Sequence, residues 1–303
     1  MTNNFESSGL WKSILSNNSD KFSKTNLQEF RNIGNINNRL SSWDPQDSST
    51  RYFKTLLMHF LWRLEKEYQR NNTDMESKIR LIKNQNLGNP VTIKYLNLDI
   101  SLDYALCLEE ILFLNDFLDI SKVLEIGAGC GRTCHSILSL YENIEQYTIC
   151  DLPEMLKFSS SYLREVLNES QYKKIKFINN DSIEETSNID LVININSFQE
   201  VEPKVIKNYL SIISSVSKMF FCKNPTGKYD PKSINLEIPN QKEFEYAIKL
   251  GLCNDVIDIF DREQLKAASE KYLLNYCPED FNVIKEEKSY LWAQHHSVLY
   301  KKN

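Results

Sequence analysis

The pattern of apolar and polar positions changes near residue 121. Before that point the strongest pattern is helical: apolar residues recur at three- and four-residue spacing between Thr50 and Arg70, and again over Leu102–Leu118. Both segments are predicted to be helices that face a core, with a cap over a substrate as the alternative. The apolar stripe of the first helix consists of Phe53, Leu56, Leu57, Phe60, Leu61 and Leu64.

After Ser121, apolar strand patterns alternate with helical ones, which is typical of an α/β sheet. The last two strands are predicted to close the sheet as an antiparallel pair. The predicted strands are Lys122–Ile126, Gln146–Cys150, Lys174–Asn179, Asp190–Ile195, Lys218–Cys222, Phe281–Glu286 and His296–Lys301. The predicted helices are Arg132–Tyr141, Pro153–Leu167, Val201–Val216, Gln241–Leu250 and Arg262–Leu273.

These patterns predict two parts of the chain. Residues 1–100 are interpreted as a mainly helical N-terminal extension or cap, and residues 101–303 as the α/β domain. The first 50 residues are rich in Asn and Ser, and we expect loops and short helices packed onto the main body.

Composition excludes wholesale disorder and weighs against a polyanionic partner. The 303 residues are 41% hydrophobic and 25% charged, and their formal net charge is −5. No global positive field would gather nucleic acid phosphates, so no nucleic acid partner is expected. We expect no secretion signal, because the first residues are polar, and no membrane span, because no apolar run reaches the roughly 20 residues that a span needs. We therefore expect a cytoplasmic protein, whose oligomeric state, a homodimer included, is open.

The seven cysteines favour reduced structural thiols. No Cys-x-x-Cys pair occurs, which argues against a zinc ribbon or a dithiol redox site. Cys130 and Cys134 have the spacing of the first two ligands of one iron–sulfur motif, but Ile137 stands where the third would be.

A glycine-rich segment, Glu125-Ile126-Gly127-Ala128-Gly129-Cys130-Gly131, follows the first predicted strand and precedes a helix. Such a turn lets the backbone approach a nucleotide closely. Arg132 stands where a dinucleotide-binding fingerprint requires its last glycine. The carboxylate of Glu125 would repel a pyrophosphate, but it suits a cofactor that carries an ammonium and a sulfonium. Spacing and charge together favour S-adenosylmethionine over a nicotinamide cofactor.

Two further strand ends support a bound nucleoside. Asp151 ends the second strand, where a carboxylate can accept both ribose hydroxyls. Asp181 and Ser182 follow the third strand, where they could contact the adenine amino group and ring. Each aspartate could instead cap a helix. All these features belong to the same predicted edge of one sheet, which is where open α/β sheets bind ligands.

At these residues the chain resembles a known family. Glu-x-Gly-x-Gly-x-Gly, then Asp151-Leu152-Pro153, then Asp181 is similar to the class I methyltransferases, over about residues 100–303. Segments 194–200 and 223–229 are similar to bacterial proteins described as sugar O-methyltransferases. The resemblance implies a Rossmann-like sheet, mostly parallel with an antiparallel last strand, S-adenosylmethionine as the cofactor, and a sugar hydroxyl, free, nucleotide-linked or glycan-borne, as the acceptor.

The same resemblance assigns the cofactor contacts residue by residue. The methionine part is expected at the glycine segment, the ribose near the end of the second strand, the adenine after the third strand, and the transferring end after the fourth. The implied residues are Glu125, Gly127, Ala128, Gly129 and Gly131, then Asp151 and Leu152, then Asp181 and Ser182, and finally Asn196, Ser197 and Phe198.

A hydroxyl acceptor must also lose its proton to a base. Glu200 lies just after the fourth predicted strand, although it could simply favour a helix start. His295 and His296 begin the last strand, and at most one of them can face the cleft. His296 is the preferred histidine, with a satisfied strand-end histidine as the alternative. The fourth strand ends in Asn194 and Asn196 rather than in carboxylates, so no metal is expected.

Other functions stay open at this point. Lys223, Lys228 and Tyr229 could meet a phosphorylated or nucleotide-linked sugar, or could line a solvated loop. The acceptor could instead be a nitrogen or oxygen of another small metabolite, or the chain could be a non-catalytic subunit that binds S-adenosylmethionine. Methylation of a nucleic acid base is disfavoured, because Asn196-Ser197-Phe198-Gln199 lacks the prolines of the usual tetrapeptide.

Overall fold

The structure, a computed structural model, describes residues 7–13, 16, 27–29, 50–234 and 237–303. Most of the sequence-based interpretation of the first 50 residues lies outside these ranges. Residues 9–13 are helical, and the division of the chain at residue 100 stays a prediction.

Apolar runs bounded by Gly, Pro and Asn give strands close to the predicted ones. The strands are β1 Thr92–Tyr95, β2 Leu98–Ser101, β3 Lys122–Ile126, β4 Gln146–Asp151, β5 Ile175–Asn179, β6 Ile189–Ile195, β7 Ser217–Pro225, β8 Lys228–Tyr229, β9 Val256–Ile257, β10 Phe281–Lys288 and β11 His295–Lys302. β1 and β2 form a hairpin, and β8 and β9 form a small parallel pair. Neither of these small sheets was predicted from the sequence.

The other strands form one seven-stranded sheet with the order β10-β11-β7-β6-β3-β4-β5. β6 is parallel to both β3 and β7, whereas β11 is antiparallel to both of its neighbours. The last strand therefore inserts between the fifth and the sixth strands of the sheet. This arrangement confirms the predicted fold class, a mostly parallel Rossmann-like sheet with an antiparallel last strand.

Every predicted helix is present, with ends that differ by a few residues, and two short helices, Met75–Leu81 and Glu169–Tyr172, were not predicted. The Leu102–Leu118 prediction ends four residues too late, because Asn115–Phe117 continues as a 3₁₀ turn. The helices are α1 Thr50–Arg70, α2 Met75–Leu81, α3 Leu102–Leu114, α4 Arg132–Leu140, α5 Pro153–Val166, α6 Glu169–Tyr172, α7 Pro203–Val216, α8 Gln241–Ala247 and α9 Arg262–Asn275.

The chain forms two compact units, which we describe separately. The first comprises Met1–Asn17, Lys122–Gly127 and Ile178–Asn303, and the second comprises Asn18–Ser121 and Ala128–Phe177. The core of the first unit is aromatic. Phe198 stacks on Tyr209 and on Tyr276, with ring centroids 5.7 and 6.1 Å apart, and Phe220 stacks on Tyr300 at 5.8 Å.

In the second unit, α1 packs by one face against the fully buried α3. Tyr68 is buried and donates its hydroxyl to the Leu108 carbonyl at 2.8 Å. Leu56 is 54% exposed, although the periodicity placed it in the core stripe. It lies roughly a quarter turn from the centre of the buried face, which Leu57 and Leu61 occupy instead.

The outer strand β10 carries a register shift between Val283 and Lys285. Val283 and Ile284 are 39% and 41% exposed there. The extra residue is a β-bulge, which bends the strand and interrupts its hydrogen-bond ladder.

All seven cysteines are free thiols, and six of them are buried. This agrees with the predicted structural role. Within the described residues, no helix is both long enough and apolar enough to cross a membrane.

Candidate functional site

The second unit brings together Gly129 and Asp151, two of the predicted cofactor residues. The Gly129 amide donates to Asp151 Oδ2 at 3.1 Å, and the Leu152 amide donates to Oδ1 at 2.8 Å. Asp151 ends β4 and is only 8% exposed. Its carboxylate therefore orients the glycine turn directly, which the sequence pattern alone did not predict.

Burial raises the pKa of Asp151 to about 6, and the amides of Leu152, Gly129 and Ala128 oppose the rise. A carboxylate has about four lone-pair positions, so two amide bonds leave it able to accept further donors. The arrangement therefore suits a ligand that presents a pair of hydroxyl groups, as a ribose does.

The first unit places Gly127 against Ser197, two more of the predicted cofactor residues. Gly127 has a φ of +72°, and a Cβ at this position would lie 2.3 Å from Ser197 Oγ. Both the backbone conformation and the contact therefore require glycine here. Ser197 also donates to the Ile126 carbonyl at 3.3 Å, which ties the turn after β6 to the end of β3.

Two buried asparagines support this contact. Asn194 donates to the Ile126 carbonyl at 3.0 Å and to Ser197 Oγ at 2.5 Å. The side-chain amide of Asn224 donates to Asn194 Oδ1 at 2.8 Å, and the backbone amide of Asn224 donates to the Tyr272 hydroxyl at 2.9 Å. From the sequence, Asn194 was expected only to be an unfavourable metal ligand, and no pattern indicated this network.

The helix after the glycine segment is anchored by a buried ion pair in the second unit. Arg132 donates to Glu110 Oε2 and to the Asp103 carbonyl, both at 2.7 Å. Gly131 has a φ of +88°, and a Cβ there would lie 2.7 Å from Leu163 Cδ1. Arg132, which departs from the dinucleotide fingerprint, thus holds the first turn of α4.

The other predicted cofactor residues differ in exposure. Glu125 is 3% exposed within β3, whereas Asp181 is exposed and Ser182 partly buried on the 3₁₀ turn after β5. Asn196 has a φ of +59°. Phe198 lies inside the aromatic core of the first unit. The roles of these residues in cofactor binding stay predictions, as does that of Ala128.

Glu200 lies on the 3₁₀ turn after β6 and contacts the N-terminal helical residues. The indole Nε1 of Trp11 donates to Glu200 Oε2 at 2.9 Å. The ammonium of Lys228 donates to the Gln199 carbonyl at 2.8 Å. Burial lowers the pKa of Lys228, and the charge of Glu200 opposes this fall. A carboxylate, an ammonium and an indole therefore meet at the carboxyl end of β6.

His296 is enclosed and already paired. Its Nε2 lies 2.7 Å from Glu286 Oε2, and its ring stacks on Tyr272 with centroids 5.7 Å apart. Burial lowers the pKa of His296, and Glu286 opposes this. Its Nδ1 is buried and has no partner among the described residues. The histidine–carboxylate pair resembles a base with its orienting group, but stacking and 3% exposure restrict an acceptor's access.

His295 lies opposite Pro225 on β7, with the Trp292 ring centroid 6.5 Å away. Burial, and secondarily the charge of Lys223, lower the pKa of His295 to about 3. Such an imidazole stays neutral near pH 7 and is a weak base, so it can serve there only as a hydrogen-bonding group.

The lowered pKa of His295 is expected to make stability fall as the pH falls. This pKa lies below the ordinary value of 6.5. As the pH falls below 6.5, His295 therefore becomes protonated in the unfolded chain while it stays neutral in the folded chain. The contribution of His295 to the free energy of unfolding is complete above about pH 6.5 and is lost as the pH falls toward 3. At pH 5 the loss is about 2 kcal/mol. Urea unfolding of His295→Asn should show a shallower pH dependence than the unsubstituted protein between pH 7 and pH 4. Identical slopes would contradict this assignment.

In the part of the chain that the structure describes, no group of three or more histidine, cysteine, aspartate or glutamate side chains is arranged to hold a metal ion. Asn194 and Asn224, at the ends of β6 and β7, hydrogen-bond to each other.

No protein-family model and no curated protein match the sequence. Among solved structures, mitomycin 7-O-methyltransferase MmcR is 12% identical, with a TM-score of 0.42, over 62% of this chain and 50% of that one. The match thus spans half the length of the MmcR chain. Magnesium protoporphyrin IX methyltransferase (ChlM) from Synechocystis PCC 6803 is 13% identical over 65% and 82%, with a TM-score of 0.45. Human N-acetylserotonin methyltransferase is 15% identical over 66% and 54%, with a TM-score of 0.40. These similarities are similarities of fold.

Proposed function

We propose that the protein is an S-adenosylmethionine-dependent O-methyltransferase that acts on a sugar hydroxyl. The observation that carries the proposal is the buried carboxylate of Asp151, hydrogen-bonded to the Gly129 amide at the end of β4. A carboxylate in that place suits the ribose of a nucleoside, and the carboxylate of Glu125 disfavours a pyrophosphate.

The residues present fit the cofactor. Gly127, Gly129 and Gly131 have positive φ angles and carry no side chains, so a ligand can approach the backbone of the turn closely at these three positions. We assign the ribose to Asp151, the methionine ammonium to Glu125, and the adenine to Asp181 and Ser182. When bound, the cofactor would supply a methyl group on a positively charged sulfur, which would leave with the electron pair of the broken carbon–sulfur bond as the acceptor oxygen took the methyl group.

Glu200 is the proposed general base. It accepts the proton of the acceptor hydroxyl as the oxygen–carbon bond forms, and the partial burial of this turn limits access of water. The surrounding Trp11, Gln199 and Lys228 combine an aromatic ring with hydrogen-bonding groups. That combination suits the apolar face and the hydroxyl edges of a sugar, and it supports the subgroup that the sequence segments resemble.

The function is tested by supplying S-adenosylmethionine labelled on its methyl group with panels of free sugars, nucleotide sugars, cell-derived glycans and other hydroxyl or amine metabolites. We expect label on a sugar hydroxyl. Transfer only to other metabolites would overturn the sugar assignment. Binding of S-adenosylhomocysteine without any transfer would favour the non-catalytic subunit.

Glu200→Gln is expected to lower kcat by at least about 100-fold, because general-base assistance contributes that much or more. Cofactor affinity, measured by calorimetry with S-adenosylhomocysteine, should stay within about threefold, since the substitution conserves shape. His296→Asn is the comparison: it should lower the melting temperature and leave kcat nearly unchanged. If kcat instead fell strongly in His296→Asn and not in Glu200→Gln, His296 and not Glu200 would be the general base.

A further inference from the structure

The N-terminal residues 7–13 form a short helical turn, which we call the N-terminal turn. Ser8 is 2% exposed and caps it: Ser8 Oγ accepts from the Trp11 amide at 3.3 Å, and the Ser8 carbonyl accepts from the Lys12 amide at 2.9 Å. The turn therefore has its own hydrogen bonds, which hold the backbone at Trp11.

Two contacts hold the N-terminal turn on the segment between β6 and α7. The Trp11 indole donates to Glu200 Oε2 at 2.9 Å. The Gly9 amide donates to the Tyr246 hydroxyl at 2.8 Å, and that hydroxyl donates to Glu202 Oε1 at 2.5 Å. The two carboxylates are only two residues apart, so the turn is anchored directly beside the proposed base.

The chemistry of the indole suits a positioning role. An indole N–H is a donor only, so it cannot compete with a carboxylate for the acceptor's proton. A hydrogen bond from it favours the ionised carboxylate, which is the form that accepts a proton. It also restricts the rotamers of Glu200, a side chain that otherwise has considerable rotational freedom.

We propose that Trp11 is a positioning residue for the reaction, which orients the Glu200 carboxylate for proton transfer from the acceptor. The inference rests on the proposed function, because it takes Glu200 as the general base. It adds to that function a residue 189 positions away in the sequence. The N-terminal turn thereby contributes to the acceptor end of the site.

The test is a double-mutant cycle between Trp11→Phe and Glu200→Gln in the full-length protein. Trp11→Phe keeps an aromatic ring and removes only the indole donor. We expect kcat to fall about tenfold, with S-adenosylhomocysteine affinity within about twofold and the pH dependence of kcat altered. In the Glu200→Gln background, Trp11→Phe should lower kcat little further, because Trp11 acts through the Glu200 carboxylate.

Matched controls separate positioning from folding. Trp62→Phe changes a tryptophan that is 49% exposed on α1 and lies edge-on to His59, so it should leave kcat unchanged. Tyr246→Phe removes the second anchor and should lower kcat less than Trp11→Phe does. Kinetics are run well below each variant's melting temperature. Wild-type kcat in Trp11→Phe, or losses that simply add in the double variant, would overturn the proposal.

A second measurement needs no turnover. In protein labelled with ¹⁵N at the indole nitrogens, the Trp11 resonance is assigned as the one missing from Trp11→Phe. We expect it to move in Glu200→Gln while the Trp62 resonance stays in place. A shifted resonance without any methyl transfer would mean that the contact exists but that the proposed function is wrong. An unshifted resonance would refute the contact itself.

Discussion

Replacing Asp151 by alanine is expected to weaken S-adenosylhomocysteine binding by about 100-fold or more. Each hydrogen bond from a ribose hydroxyl to the carboxylate is worth about 1.5–3 kcal/mol, and about 1.4 kcal/mol is a factor of ten. The substitution also removes the acceptor of the Gly129 and Leu152 amides, so the glycine turn loses its support. Calorimetric titration at pH 7.5 measures the effect.

Asp190→Ala is the matched control for Asp151→Ala. Asp190 also accepts a backbone amide, that of Lys122 at 3.0 Å, but it lies at the start of β6 and not at its carboxyl end. It should lower stability without changing cofactor affinity. Equal affinity in Asp151→Ala and in the unsubstituted protein, with the fold intact, would rule out the assigned ribose site.

The raised pKa of Asp151 gives this site a pH dependence. The ionised carboxylate accepts two ribose hydroxyls, and the protonated form accepts them less well. Since the pKa of Asp151 is about 6 in the ligand-free protein, affinity should be constant above about pH 7 and fall as the pH drops below 6, by up to about tenfold per pH unit. Asp151→Asn should bind weakly at every pH. A wild-type affinity that is the same at pH 5 and pH 7.5 would contradict an ionised Asp151 as the ribose acceptor.

Gly127→Ala is expected to abolish measurable S-adenosylhomocysteine binding and to destabilise the fold by about 2–3 kcal/mol. The new methyl group would overlap Ser197, whose Oγ and Cβ lie 2.3 and 2.5 Å from its position, and the φ of +72° would strain any residue other than glycine. Ser197 also binds the Ile126 carbonyl, so displacing it disturbs the turn after β6. Urea unfolding and calorimetry measure the two effects.

Two variants separate overlap from strain. Gly251→Ala places a methyl group at a similar φ of +79°, but its nearest neighbour, Gln199 Cα, is 3.3 Å away. It should show a smaller cost, that of backbone strain with a much milder steric contact. Combining Gly127→Ala with Ser197→Gly removes the overlap and should restore part of both stability and affinity. No recovery in the double variant would mean that the contact with Ser197 is not the cause.

Much of the fold was predictable because apolar runs coincide with strands. The prediction for Lys122–Ile126 is exact, since a short apolar run stops at a glycine. The hairpin of β1 and β2 was not predicted, because its strands are only four residues long. Its turn has positive φ at Leu96 and Asn97, and a leucine rarely adopts that conformation, so the sequence contained no turn signal there. Seven-residue α2 is too short for a periodic signal.

The site was predictable as a set of strand ends but not as a set of contacts. Spacing placed Asp151 after a strand, but nothing in the sequence showed that its carboxylate binds the Gly129 amide. Gly127 and Ser197 are 70 positions apart, and their packing depends on the register of β3 with β6. Trp11 lies in a segment with no regular pattern, so its contact with Glu200 left no sequence signal.

The bulge in β10 has a consequence for how the molecules behave in concentrated solution. An outermost strand offers unpaired amides and carbonyls that another chain could extend, and the exposed Val283 and Ile284 would favour such growth. The extra residue breaks the regular repeat at that position, and the charged residues 285–288, Lys-Glu-Glu-Lys, follow it. We therefore expect this edge to be a poor template for the addition of a strand from another molecule.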